Sequence, residues 1–200
     1  MQIRAVLFDF GGVIADEGFQ EGLYAIADKF GLDRKRFFQL ANEAVYNSGY
    51  VTGTGSEKDY WNMVREHSGI VADDEELRRE ILSRFIPRDW ILEEVDKIRR
   101  QGITTAILSD QSDWLDQLDA THHISQHFDT VFNSFHIGKS KRDSTVFADV
   151  LQALKVEGQE TLFVDDNIDH IDRATAAGLQ VHHFTGRSGF MKKLKELGLQ

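Results

Sequence analysis

Asp9 follows the apolar run Val6-Leu7-Phe8 and precedes Gly11-Gly12, Ser109-Asp110 closes the run 103–108, and Asp165-Asp166-Asn167 closes Thr161-Leu162-Phe163-Val164. Each run reads as a short buried strand ending in a polar turn. If the strands are parallel, these side chains meet at one edge. Carboxylates gathered there repel, so either a pKa rises or a cation joins them, and two or three carboxylates suit a hard ion such as Mg2+. Lys141, just ahead of a helix expected from about Asp143, adds a positive charge and a helix amino end. Carboxylates, cation, hydroxyl and lysine on one edge describe a site for a phosphate monoester.

The elements that must position these groups alternate. Weaker strand patterns cover Thr130 to Phe135 and Leu179 to Phe184, and helical patterns fill about 90–101, 111–121, 143–155, 168–177 and 188–197. Continuous apolar strands separated by helices predict a doubly wound, Rossmann-like parallel sheet in an α/β fold, with ligands beyond the carboxyl ends of the strands. The segment 16–85 departs from this rhythm. Its apolar residues, among them Leu23, Ile26, Phe30, Phe37, Leu40, Trp61, Val64, Leu77 and Ile81, recur at helical spacing with no strand run. That pattern predicts a small inserted helical cap over the strand ends, with residues 1–15 and 86–200 forming the core and Pro87 marking the return.

Composition narrows the classes. The chain is 41% hydrophobic and 28% charged, with one proline and no cysteine, which fits a globular unit and excludes thiol nucleophiles, disulfides and cysteine-ligated metals. At this length ~70% of the unfolded surface can be removed from water, so no ion is needed merely to fold. Lys and Arg total 23 against 33 Asp and Glu, a net charge of −10 that argues against a nucleic-acid partner. No stretch approaches the ~18 apolar residues of a membrane helix, and the first residues are too short in apolar length for a signal peptide. The expectation is a cytoplasmic protein whose partner is a small molecule, with oligomeric state unread.

In order and spacing the motifs resemble those of the haloacid dehalogenase-like hydrolases. Asp9-Phe10-Gly11-Gly12-Val13 is similar to that family's first motif, Ser109 to its second, Lys141 to its third and Asp165-Asp166-Asn167 to its fourth, and segment 16–85 resembles the type 1 cap of subfamily IA. The Asp-x-Gly start is similar to the subgroup that includes alpha-D-glucose-1-phosphate phosphatases. The resemblance implies a Mg2+-dependent phosphatase in which Asp9 attacks phosphorus to form an aspartyl-phosphate that water hydrolyses. It further implies that Asp9, the Gly11 carbonyl and Asp166 hold the metal, that Asp165 acts through a metal-bound water, and that Ser109, the Asp110 amide and Lys141 hold the phosphate. Sequence does not order the two neighbouring aspartates.

Three departures qualify this. Gly11 replaces the family's second aspartate, the proton donor, so the enzyme is slow by ~10²–10⁴, uses a good leaving group such as a sugar 1-phosphate, or recruits Asp16, Glu17 or a lid residue. Arg142-Asp143-Ser144 replaces the usual residues after Lys141, keeping charge and losing rigidity. Asp110 stands where Asn is commoner, either turned away or favouring an amine-bearing substrate. Two alternatives follow: a 2-haloacid dehalogenase, whose chemistry also lacks the second aspartate, and a catalytically silent protein that binds a phosphate ligand. Blander readings cover other features. His123 and His127 lack a third ligand, and Ser56 with Asp59 after the glycine-rich 53–55 fits a capped helix better than a nucleotide loop.

Overall fold

The computed structural model describes residues 2–199, so the outermost ends of the expected core, Met1 and Gln200, lie outside the described residues. Strands β1 (Ala5–Phe8), β2 (Thr104–Ser109), β3 (Thr130–Asn133), β4 (Thr161–Asp165) and β5 (Gln180–His183) form a parallel sheet in the order β3-β2-β1-β4-β5. The chain steps outward from β1 to β3, then returns to the other side of β1 for β4. The direction therefore reverses between β1 and β4, where the carboxyl ends splay into a crevice.

The strands are apolar throughout because both faces are covered. Val6, Phe8, Ile107, Leu162 and Val164 enter one hydrophobic cluster, while Leu7, Ala106, Leu108 and Phe163 enter another. This alternation is the period-two pleat written in buried side chains. The first cluster takes in Ile91, Val95 and Ile98 of α5 (Asp89–Arg100) and Phe190 and Leu194 of α10 (Arg187–Leu197). The second is closed by Val146, Phe147 and Val150 of α8 (Thr145–Leu154) and Ile171 and Ala174 of α9 (Ile168–Ala176).

Between β1 and α5 run α1 (Gly18–Lys29), α2 (Arg34–Asn47), α3 (Glu57–Ser68) and α4 (Asp74–Leu82). The first three begin with a polar cap: Glu17 accepts from the Gln20 amide, Asp33 from the Arg36 amide, and Ser56 and Asp59 form a reciprocal capping box. Their apolar faces do not form an isolated core. Leu23, Ile26, Phe37, Ala41, Trp61 and Val64 belong to the same cluster as Phe8 and Trp114. The outgoing and returning chains pair, with the Asp16 amide donating to the Ile86 carbonyl at 3.0 Å and the Arg88 amide to the Ile14 carbonyl at 2.8 Å.

Three boundaries differ from the sequence pattern. The strand expected to reach Phe135 stops at Asn133, whose side chain accepts from the Phe135 amide and opens the single turn α7 (Ser134–Ile137). The helix α6 (Trp114–His122) begins three residues later than its apolar pattern, and α8 begins at Thr145 rather than Asp143, which spends its carboxylate on the Thr145 amide and hydroxyl. Among the described residues no helix is long and apolar enough to cross a membrane.

Candidate active site

Asp9 leaves β1 at the crevice, its amide still donating to the Val164 carbonyl at 2.9 Å. Its Oδ1 accepts the Phe10 amide at 2.7 Å and lies 2.9 Å from Lys141 Nζ, while Oδ2 accepts no hydrogen bond among the described residues. Burial, then the charge of Asp165, raises the Asp9 carboxyl well above the usual carboxylate range against the pull of Lys141.

The two neighbouring aspartates part company. Asp165, the last residue of β4, is 0% exposed. It accepts Lys141 Nζ at 2.7 Å and the Asn167 amide at 2.7 Å, and His170 Nδ1 stands 3.1 Å away. Burial opposes its ionisation, yet Lys141 and His170 hold it below the usual range. Asp166, one residue on and past the strand, faces the crevice instead. Its side chain lies so close to Gly12 that a Cβ there would stand 2.0 Å from Oδ2, and Gly12 also has φ +80°, so no other residue fits without displacing Asp166. Burial and the charge of Asp165 push Asp166 upward.

Lys141 is 1% exposed and serves both Asp9 and Asp165. Burial works against its charge, but Asp165, Asp9 and Asp110 outweigh that and hold its pKa far above the ordinary lysine value. Its backbone is fixed as well, because the Lys141 amide donates to Asp110 Oδ1 at 2.7 Å. The other oxygen, Asp110 Oδ2, accepts the Tyr46 hydroxyl of α2 at 3.1 Å. The Asp110 side chain thus ties the Lys141 loop to the helical segment and is not left open for an amine. Arg142 stacks over the Tyr46 ring at 3.4 Å and pairs with Glu43 at 3.0 Å.

A cavity of about 580 Å³ lies over this edge. Asp9, Gly11, Ser109, Asp110, Lys141 and Asp166 all line it, whereas Asp165 sits behind them. The Ser109 hydroxyl takes no partner among the described residues, leaving a donor turned to the cavity where β2 ends. The opposite wall carries Phe19, Gln20, Phe38, Asn42 and Tyr46 of α1 and α2. No motif announced these, nor His170, whose only sequence signal is its place five residues after Asp165.

The donor set can be tested for a cation. Among the described residues, Asp9, Asp165 and His170 offer ligand atoms within 4.8 Å of one another. That trio is already satisfied, since Asp165 is consumed by Lys141, His170 and a backbone amide. The residues with oxygen to spare are Asp9 and Asp166. Both carry raised pKa values, first from burial and then from the charge of Asp165, and that crowding of carboxylates fits a hard divalent ion.

A five-stranded parallel sheet reversing direction at a cluster of acidic strand ends, under a helical roof, defines a doubly wound α/β enzyme. The chain belongs to the haloacid dehalogenase-like hydrolases, whose family model matches residues 3–178. It is similar to a phosphatase of Mycobacterium tuberculosis (strain CDC 1551 / Oshkosh), 24% identical over 212 residues covering 99% of this chain and 96% of the relative. Bifunctional epoxide hydrolase 2 of Sus scrofa is 24% identical over 204 residues, 90% of this chain, and this chain spans only 36% of that relative's length. A haloacid dehalogenase family enzyme from Bacteroides thetaiotaomicron, solved with magnesium and inorganic phosphate, superposes with a TM-score of 0.71 at 19% identity over 90% of this chain and 93% of that one. L-2-haloacid dehalogenase from Xanthobacter autotrophicus, with chloropropionic acid covalently bound, superposes with a TM-score of 0.66 at 20% identity over 100% and 85%. At these identities the structural likeness is one of fold.

Proposed function

We propose that the protein is a Mg2+-dependent phosphatase acting on a small phosphorylated metabolite through an aspartyl-phosphate on Asp9. The observation that carries this reading is the sharing of one buried ammonium, Lys141, among acidic strand ends beside an unpartnered Ser109 hydroxyl. Asp9, Asp166 and the Gly11 carbonyl would hold the cation, which when bound supplies charge neutralisation to the acidic cluster and to the phosphate. Lys141 holds Asp9 Oδ1 in place, which leaves Oδ2 to strike phosphorus. Ser109, the Asp110 amide and Lys141 receive the remaining phosphate oxygens, so the site acts chiefly by orientation and charge. Asp165 steadies Lys141 from behind.

Segment 16–85 then serves as a cap domain on the core formed by 1–15 and 86–200. The amides of Gln20, Asn42 and Gln111 on the cavity wall suit a hydroxylated substrate, a sugar phosphate among them. The dehalogenase reading is disfavoured by Asp166, because a carboxylate that displaces halide gains nothing from a second anion beside it.

The test is phosphate release from a panel of sugar 1-phosphates, sugar 6-phosphates and aryl phosphates, with Mg2+ or chelator, on wild type and Asp9→Asn. Turnover that needs both Mg2+ and Asp9 is the expected result. Halide release from 2-haloacids in chelator would replace this reading with the dehalogenase, and tight phosphate-ligand binding without turnover would replace it with a binding protein.

A further inference from the structure

An ester leaves phosphorus as an alkoxide unless it is protonated, and the phosphorylated Asp9 then needs a water relieved of its proton. Both steps call for a carboxyl beside the nucleophile that is not already spent. Lys141 is committed to Asp9 and Asp165, Asp110 to Tyr46 and the Lys141 amide, Glu43 to Arg142, and His170 to Asp165. Asp166 belongs to the cation set and Asp169 is exposed to solvent.

Glu17 is different. It lines the cavity with Asp9, forms no ion pair among the described residues, and uses only Oε2, which accepts the Gln20 amide at 2.6 Å. The other oxygen, Oε1, takes no partner among the described residues and lies 3.9 Å from the point where a Cβ on Gly11 would stand. Phe85 Cε1 stands 3.4 Å from the same point. The missing side chain of Gly11 thus leaves a space beside the Asp9 loop, and the Glu17 carboxyl projects into its edge.

We propose, resting on the phosphatase reading above, that Glu17 is the proton-transfer residue of this site, reaching from the start of α1 into the space that Gly11 leaves open. As Asp9 Oδ2 bonds to phosphorus, the bond from phosphorus to the alcohol oxygen breaks with its electron pair on that oxygen, which takes the Glu17 proton. In the second half the Glu17 carboxylate takes a proton from water as the water oxygen bonds to phosphorus. The bond between phosphorus and Asp9 then breaks, returning the Asp9 carboxylate and releasing phosphate. Burial foremost, with the charges of Asp166 and Glu21 added, lifts Glu17 to about 7 in spite of the Gln20 hydrogen bond, so it holds a proton near neutrality.

The experiment compares 2,4-dinitrophenyl phosphate, whose leaving group needs no proton, with the alkyl phosphate that wild type hydrolyses fastest. Glu17→Gln keeps an acceptor for the Gln20 amide but holds no exchangeable carboxyl proton. Its kcat/KM on the alkyl phosphate should fall ~10²–10⁴-fold, while the dinitrophenol burst from the aryl ester stays within threefold and acid-quenched enzyme retains phosphate on Asp9. Asp16→Asn, an exposed residue paired with Arg88 at 3.0 Å, should leave both substrates unchanged. The double variant Gly11→Asp/Glu17→Gln should recover at least tenfold on the alkyl phosphate. Should Glu17→Gln not fold, Glu17→Asp, which still caps α1 with a retracted carboxyl, should show the same selective loss on the alkyl ester. Equal losses on both substrates, or no loss on the alkyl ester, would overturn the role of Glu17. If wild type or Asp9→Asn fails the Mg2+ and Asp9 test instead, it is the phosphatase reading that falls.

Discussion

The floor and the roof of the cavity are built on opposite principles. On the floor, Asp9, Lys141, Asp165 and His170 satisfy one another at 2.7–3.1 Å, with Asp9 and Asp165 held at the ends of strands whose register is locked by parallel pairing. On the roof, Phe19, Phe38, Asn42 and Tyr46 stand on helices that share the apolar cluster of the sheet and add a handful of polar contacts to the floor. These are Tyr46 to Asp110, Tyr50 to Asp113, Glu43 to Arg142, and the Ser134 hydroxyl to the Val51 carbonyl at 2.7 Å. The contrast teaches that the groups able to react are over-determined in position, while those able to select are free to differ.

The largest effect is expected of Asp9→Asn. Phosphate release should fall by ~10⁴ or more, the scale of losing a nucleophile. The melting temperature should hold or rise, because a buried carboxyl with a raised pKa is destabilising when ionised. A large drop in melting temperature would mean the floor depends on Asp9 for its fold. Next in size, Lys141→Met strands Asp165 and Asp9 without their shared cation, and urea unfolding should report a loss of about 3–5 kcal/mol. An unchanged midpoint would show the floor to be far less tightly coupled than its distances imply.

On the roof, Tyr46→Phe removes the hydroxyl that bonds Asp110, for an expected loss of about 1 kcal/mol and a rise in KM larger than the fall in kcat. A kcat effect alone would place Tyr46 with the floor. The smallest effect lies far from the cavity, at Asp129. Burial raises its carboxyl, but the Thr105 amide and Arg99 outweigh that and hold it below its ordinary 3.8. A depressed folded-state value means the stabilisation is complete above that pH and is lost as pH falls through the lower folded value. Asp129→Asn should therefore flatten the acid limb of the urea midpoint below about pH 4 and leave neutral activity unchanged, and an unaltered acid limb would remove Asp129 from the account.

The acidic and hydroxyl groups of the floor were legible because Asp9, Ser109 and Asp165 each close an apolar run, a signal confined to a few neighbouring positions, whereas His170 carries no such signal. Asp9, Ser109 and Asp165-Asp166 could be placed on one edge from that alone. What could not be read was the division of labour between Asp165 and Asp166, which depends on β4 ending after the first of them. The use of Asp110 as a strut was equally hidden, since its partners Tyr46 and Lys141 are set by packing between distant segments. The early end of β3 turns on a competition between the pleat and the Asn133 side chain, which apolar periodicity does not register. The roof carries no motif, because its apolar spacing encodes helices and says nothing of which polar side chains meet the cavity.

The ladder joining residues 14–16 to 86–88 brings the start and finish of the longest excursion in the chain within one hydrogen bond of each other. For a protein engineer that seam is a ready splice point. A foreign excursion of similar span, grafted there, would inherit the reactive machinery beneath it and bring its own choice of guest.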